Sequence, residues 1–352
     1  MSVGFAHAHN NHLVLDSNVI NQIQKKFDKA FTEITNMLDG KQPLSFKQAV
    51  FLVENAYFND SLNYELFNNQ IEFYKKLTIA YSKANKLSNY HFKDSINETL
   101  NASLFKVFAD TIRKENNIII STPFQYNFND ALGSKEHANV FVYTLLFTKK
   151  GNCRSLPYLY KILTEELGTN SYLALAPMHM YIKQRNKNVN WYNVELTSKQ
   201  YPNDAYLVSS GHITQKNIIN GLYMDTLSLK ESIALCLTDL AQAYRKRLGK
   251  QADAEFQLKC AVKALIVKQN LIDGLLIKQR IAKYLWQQYL STNIELANDY
   301  KKQYEQTNAT LLKLDYSDVP YETFIKWYNN YQNNKQQFQN STINHNFKTN
   351  KK

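Results

Sequence analysis

Cysteine is scarce in this chain: three among 352 residues, Cys153, Cys236 and Cys260. An odd, sparse set builds no disulfide framework, and no CxxC spacing supplies half of a zinc site. No apolar run approaches the roughly 18 residues that a membrane-crossing helix requires. The longest stretches, such as VFVYTLLF at 140–147, have the length of core segments. A dense basic run with interleaved aromatics is also missing, and no nucleic-acid-binding motif is present. The formal net charge of +12 favours acidic partners. Its lysines are scattered, however, with Lys335, Lys348, Lys351 and Lys352 in the tail, so we expect a solvated basic surface and not a nucleic-acid partner. The opening MSVGFAHAHNNHLVLD lacks a basic n-region and a long enough h-region, so no export signal is expected. The expected compartment is cytoplasmic by default, or outside if a signal has been removed. His7, His9 and His12 could ligate a metal, but on a frayed terminus we read them as polar residues only. No metal and no cofactor is expected.

What is present is enough apolar material to fold: 44% hydrophobic and 13% aromatic residues exclude global disorder, and the length allows two or three domains. Apolar residues at helical spacing (Val19, Ile20, Ile23, Phe27, Phe31, Ile34 and Leu38) predict a helix over 16–38. Ser45 caps the next helix, and two more follow before residue 115. After Asn117 the texture changes. IIIST predicts a short strand, and NVFVYTLLFTKK a buried helix leading into Gly151. CRSLPYLYKILTEEL reads as a helix that ends at Gly168, with Pro157 inside its first turn or so. SYLALAP, HMYIKQ and WYNVELT then read as strands of an antiparallel sheet. From Leu227 helices return, the first opened by the capping box SLKE at 228–231. Two helix pairs follow whose small and aromatic residues (Leu240, Ala241, Tyr244; Ala261, Ala264, Leu265) resemble tetratricopeptide pairs. Residues 331–352 are polar and of low complexity and predict a disordered tail.

Cys236 and Cys260 lie inside apolar helical patterns and read as small core residues. Cys153 is different. It follows Gly151-Asn152 at the start of a helix, where unpaired amides and the helix dipole favour a thiolate and could later hold an oxyanion. Gly151 would allow an unusual backbone conformation just before it. His179 enters the strand beyond Pro177 and can exchange a proton with the thiol if strand and helix pack together. Glu195, on the next strand, could accept the other imidazole N–H and fix the tautomer. Asn193, two residues earlier on the same face, could do so more weakly. Asn152, Ser155 and Gln125 are candidates to support the nucleophile or hold an oxyanion, with Asn139 behind them. Trp191 and Tyr192, with Tyr201, are candidates to line a substrate groove, and His212 is a further polar candidate for the cleft.

The order of a Cys helix, a His strand and an acid strand is that of a papain-like core. The stretch at 139–183 resembles the transglutaminase-like superfamily, and within it the SirB1-type branch. The pattern is G-x-C-x-S-x-x-x-x-Y, then L-G, then P-x-H. It falls here on Gly151, Cys153, Ser155 and Tyr160, on Leu167-Gly168, and on Pro177 and His179. In that family the third catalytic position is usually Asp; here Glu195 stands in its place. Many SirB1-type proteins lack the cysteine that this chain keeps. The resemblance implies an α+β fold with a papain-like transglutaminase core at 116–226 and TPR-like helical pairs at 227–330. It does not reach the first 100 residues, where the sequence pattern itself predicts a flexible start at 1–15 and an N-terminal helical region at 16–115. It implies thiol-dependent acyl transfer or amide hydrolysis on a protein or peptide substrate through Cys153, His179 and Glu195. The alternative is a catalytically inactive scaffold that binds a protein partner through the helical pairs.

Overall fold

The structure, a computed structural model, describes residues 15–114, 116–319, 322 and 338–349. The chain is α+β. Four helices come first: α1 (Ser17–Leu38), α2 (Phe46–Tyr57), α3 (Tyr64–Ala84) and α4 (Ser95–Ala109). Side chains cap three of them: Asp16 on α1, Ser45 on α2 and Asn63 on α3. Short strands β1 (Ile112–Arg113), β2 (Ile119–Ser121) and β3 (Gln125–Tyr126) lead to α5 (Val142–Thr148), β4 (Lys150–Gly151) and α6 (Ser155–Glu166). Gly168, at φ +71°, ends α6 as expected. Next come β5 (Tyr172–Ala176), β6 (His179–Asn186), β7 (Asn190–Val194), α7 (Asp204–Gly211), α8 (Gln215–Ile219) and β8 (Thr226–Leu227). The chain then returns to helix with α9 (Leu229–Leu248), α10 (Ala254–Val267), α11 (Ile272–Tyr289), α12 (Ile294–Lys313) and α13 (Ser341–Asn346).

The main sheet runs β7-β6-β5-β8 and is antiparallel throughout. Helix α6 lies against β5 and β6. Its residues 155–164 are all buried, because it packs on the sheet and also against α2, α3, α4 and α5. The capping box at Ser228 and Glu231 forms as read. Helices α9 to α12 pack each on the next. The four N-terminal helices do not pack as one unit. Helices α1 and α2 lie against α9, with Phe27 edge-on to Tyr244, whereas α3 and α4 lie against α6. Helix α2 buries one stripe of Phe46, Ala49, Val50, Val53 and Ala56, and Phe51, off that stripe, packs on Tyr64 and Phe67 of α3.

The disordered tail expected for 331–352 is corrected over 338–349. Asn340 caps α13, Ile343 is fully buried, and Phe347 packs edge-on to Tyr192 and Tyr201. Two aromatic or aliphatic anchors in a polar segment suffice when a ready-made apolar slot awaits them, which composition alone does not disclose. The His7, His9 and His12 cluster lies outside the described residues. Among the described residues, no helix is long and apolar enough to cross a membrane, and no group of three or more His, Cys, Asp or Glu could hold a metal ion.

Candidate active site

Cys153 sits in the tight turn between β4 and α6. Parallel pairing of β3 with β4 fixes the approach, and the Gly151 carbonyl accepts the Asn127 amide at 2.7 Å. Asn152 then builds the turn. Its Oδ1 accepts the amides of Arg154 (2.9 Å) and Ser155 (3.1 Å), and its Nδ2 donates to the Ala131 carbonyl. Ser155 Oγ in return accepts the Asn152 amide at 3.0 Å. This is reciprocal capping of a helix N-terminus by Asn-x-x-Ser. It revises the expected set of free amides around the sulfur, because those of Asn152, Arg154 and Ser155 are occupied. The amide of Cys153 itself has no hydrogen-bonded acceptor among the described residues. Asn152 and Ser155 therefore hold the nucleophile's turn and not an oxyanion.

Gly151 earns its place through space and not through an unusual φ, since it is absent from the positive-φ glycines. A Cβ there would stand 2.6 Å from Ser155 Oγ and 2.9 Å from Leu145 Cδ1. Gly151→Ala must therefore displace the serine that caps Asn152. We expect it to lower the unfolding free energy by about 1–3 kcal/mol, as overpacked cores do, measured by urea denaturation. An unchanged midpoint would show that the turn has slack.

His179 arrives from the other side. In the β5–β6 connection, Pro177 is followed by Met178 at φ +54°, the residue pattern of a type II turn. This places His179 as the first residue of β6, and the Met178 carbonyl faces the Cys153 thiol (Sγ to O, 3.9 Å). His179 Nε2 and Glu195 Oε2 are 2.6 Å apart. Continuing the register from Ile182 opposite Val194 sets Glu195 opposite Tyr181, so it meets His179 on the diagonal. A diagonal pair is longer than a direct one, and the extra methylene of Glu supplies the reach. The second oxygen, Oε1, accepts the amide (2.9 Å) and hydroxyl (2.7 Å) of Thr197.

Both groups are buried. Burial alone pushes the His179 imidazolium down. The Glu195 charge and its hydrogen bond, with the neighbouring Cys153 thiol, outweigh it and carry the pKa up to about 10. Burial likewise pushes the Glu195 carboxyl up, but the His179 charge and the bonds from His179 and Thr197 leave it below the usual carboxylate range. Burial pushes the other two thiols up, Cys236 and Cys260 alike.

Cys153, at 9% exposure, opens with His179 on a cavity of about 310 Å³. The cavity runs between the Cys153 turn, α2, the β5–β6 turn, α9, α11 and residues 316–319. Its charged wall begins at Arg154, directly after the cysteine. Arg154 Nη1 reaches Asp239 Oδ1 on α9 (2.6 Å) and the Tyr158 hydroxyl (3.1 Å), and Nη2 reaches Asp273 Oδ2 on α11 (2.5 Å). The Tyr158 hydroxyl donates to Asp239 Oδ2 at 2.6 Å.

Other expected site residues stand elsewhere. Asn193 is one pleat further along β7, opposite Lys183, where its amide donates to Asp204 and the Pro202 carbonyl. Gln125 pairs with Lys150, is exposed and does not line the cavity. Trp191 and Tyr192 are also off the cavity, because β7 runs away from the His179 end of the sheet. Trp191 packs edge-on to Tyr172, and Tyr192 is a core residue bonded to Glu98 and Gln184. Tyr201 packs on Phe105, Asn139 bonds Asp130, and His212 closes α7 in a left-handed conformation. Sequence reasoning missed Thr197, which the Glu-x-Thr spacing could have offered as a side-chain-closed turn. It also missed Asp239 and Asp273. These stand 85 and 119 positions from Arg154, and no local pattern marks them.

Fold and site together define an α+β protein with a Cys-His-Glu constellation at the mouth of a cavity. No family model matches the chain. No curated protein is significantly similar to it. The chain is similar to a solved structure of menin, described as revealing the binding site for Mixed Lineage Leukemia (MLL) protein. That likeness has a TM-score of 0.34 and 12% identity, covering 81% of this chain and 70% of that one. A likeness this low carries no argument about either fold or function.

Proposed function

We propose that this protein is a thiol-dependent acyltransferase or amide hydrolase of the transglutaminase-like type, with a papain-like core and TPR-like helices beside it. The observation that supports the reading is that Cys153 and His179 line one cavity, the thiol set against the carbonyl of Met178 just before the histidine, while Glu195 holds His179 Nε2 at 2.6 Å. A carboxylate in that position stabilises the imidazolium that forms when the thiol gives up its proton. In the reaction, Cys153 Sγ bonds to the carbonyl carbon of an amide. The carbonyl oxygen, now negative, accepts a hydrogen bond from the Cys153 amide. The C–N bond breaks as the imidazolium passes its proton to the leaving nitrogen, and a thioester remains. Water or an amine then attacks, His179 takes its proton, and the sulfur departs as thiolate. Water as acceptor makes the enzyme a peptidase, amidase or deamidase; an amine makes it a transglutaminase.

The test is the rate of Cys153 alkylation by iodoacetamide against pH, with sites assigned by mass spectrometry, in wild type and His179→Ala. Cys236 and Cys260, both deep in the core, serve as internal controls. Fast labelling of Cys153 that persists down to about pH 6, and a profile displaced upward by the histidine change toward that of a free thiol near 8.5, is the expected result. Ordinary titration of Cys153 in both proteins overturns the reading and leaves a non-catalytic, partner-binding scaffold in its place.

A further inference from the structure

We propose that the cavity wall opposite the thiol is a subsite for a cationic group, so that the amide offered to Cys153 carries an ammonium or guanidinium nearby. The inference rests on the thiol-chemistry reading for its substrate but not for its binding site. Its ground is a charge imbalance. Arg154 supplies one positive charge to two carboxylates, Asp239 and Asp273. Asp239 is saturated, with Oδ1 on Arg154 and Oδ2 on the Tyr158 hydroxyl. Asp273 is not: Oδ2 meets Arg154, and Oδ1 makes no hydrogen bond within the described residues. Burial, and then the neighbouring Asp273 charge, push the Asp239 carboxyl up to about 6 even though Arg154 and Tyr158 pull the other way. A set of partly buried charges with one carboxylate in excess is stabilised by whatever brings the missing cation.

A second observation points to a ligand in the same place. Tyr223 lines this cavity and is only 5% exposed, yet its hydroxyl has no hydrogen-bond partner among the described residues. That hydroxyl is absent from the fully enclosed polar atoms, so what little of Tyr223 is open, on a residue that lines the cavity, includes its polar tip. Tyr223 and Tyr316 line the same cavity as Asp273. An aromatic and carboxylate lining is what an alkylammonium or guanidinium prefers. The compensating cations of the cavity are elsewhere: Lys246 lies on the His137 side, where burial, then its charge and that of Arg154, hold the His137 imidazole down to about 4. Glu54 adds no excess charge at neutral pH, because burial pushes its carboxyl up to about 8. The volume, near the lower end for ligand pockets, suits one side chain with its flanking backbone and not a folded segment.

The experiment titrates Nα-acetyl-lysine methylamide and Nα-acetyl-norleucine methylamide into the Cys153→Ala protein by calorimetry, which removes thiol chemistry from the readout. The lysine compound should bind at least tenfold tighter, equivalent to about 1.4 kcal/mol. The preference should vanish with an added Asp273→Asn and shrink with Tyr223→Phe, each variant first shown to unfold cooperatively. Equal binding of the two compounds, or saturation by neither, overturns the subsite. The two readings fail separately. A lysine preference beside an ordinary Cys153 alkylation profile removes only the catalysis. An activated Cys153 without a lysine preference removes only the subsite.

Discussion

Arg154→Ala is expected to lower the unfolding free energy by about 3–5 kcal/mol, the range for breaking a buried ion pair from one side. The guanidinium binds Asp239, Asp273 and Tyr158 at once, all on the wall of one cavity. Arg154, Asp239 and Asp273 are each less than a quarter exposed, so solvent screens the loss only in part. Removing the cation strands two like charges that face each other. The expected number is therefore the cost of the stranded carboxylates more than the worth of the pairing. The control separates these: in an Asp239→Asn, Asp273→Asn background the same change should cost at most about 1 kcal/mol, because nothing charged is left unpaired. Urea unfolding of the four proteins closes the cycle. Equal costs in both backgrounds would mean that Arg154 stabilises through its aliphatic stem and not its charge. Because Arg154 adjoins the nucleophile, the variant should also slow Cys153 alkylation while the protein remains folded.

Glu195→Gln should reduce the rate of Cys153 alkylation at pH 6 by tenfold or more and displace its pH profile upward. Glutamine can still hydrogen-bond Nε2, so geometry is largely kept, but the charge that lifts the His179 imidazolium to about 10 is gone. The same substitution has a stability signature whose sign follows from linkage. His179 has a folded-state pKa above its ordinary 6.5, so it contributes fully below about 6.5 and progressively less as pH rises toward about 10. Glu195 is depressed below its ordinary 4.5, so it contributes fully above about 4.5 and loses that as pH falls through its lowered value. The pair is therefore worth most between about pH 4.5 and 6.5. Urea unfolding at pH 4, 6 and 9 should show the wild-type advantage over Glu195→Gln peaking at pH 6. A flat difference across the three would mean that the His179–Glu195 contact is a neutral hydrogen bond.

How much of the site was legible follows the range of the interactions. The strands over 172–194 and the helix after Cys153 were visible because alternation and helical spacing are local signals. His179 and Glu195 were visible because each stands at a marked place, one after Ala-Pro-Met and the other just past a strand that carries Trp191 and Tyr192. The substrate-lining residues were misplaced for a geometric reason. Trp191 and Tyr192 are near Glu195 in sequence, but a strand advances about 3.4 Å per residue, which carries them away from the His179 end of the sheet. Between the two tasks open to Asn152, supporting the nucleophile or holding an oxyanion, the sequence could not choose, because an amide side chain that caps following amides is indistinguishable there from one waiting for substrate. The ordered segment at 338–349 was hidden by composition, since its few anchors gain their energy from a slot formed by Tyr192 and Tyr201.

The sequence by itself determined the α+β character, the caps at Ser45 and Ser228, the stop at Gly168 and the strand that opens at His179, because each depends on neighbours within a few positions. Tertiary structure alone decided the rest. It joined α1 and α2 to α9, brought Asp239 and Asp273 to Arg154, and enclosed the thiol in a cavity with one carboxylate oxygen left over. Those contacts span 85 to 119 positions at the Arg154 cluster. A local pattern does not encode a partner at that range; it is chosen by which buried faces and charges find each other when the chain closes.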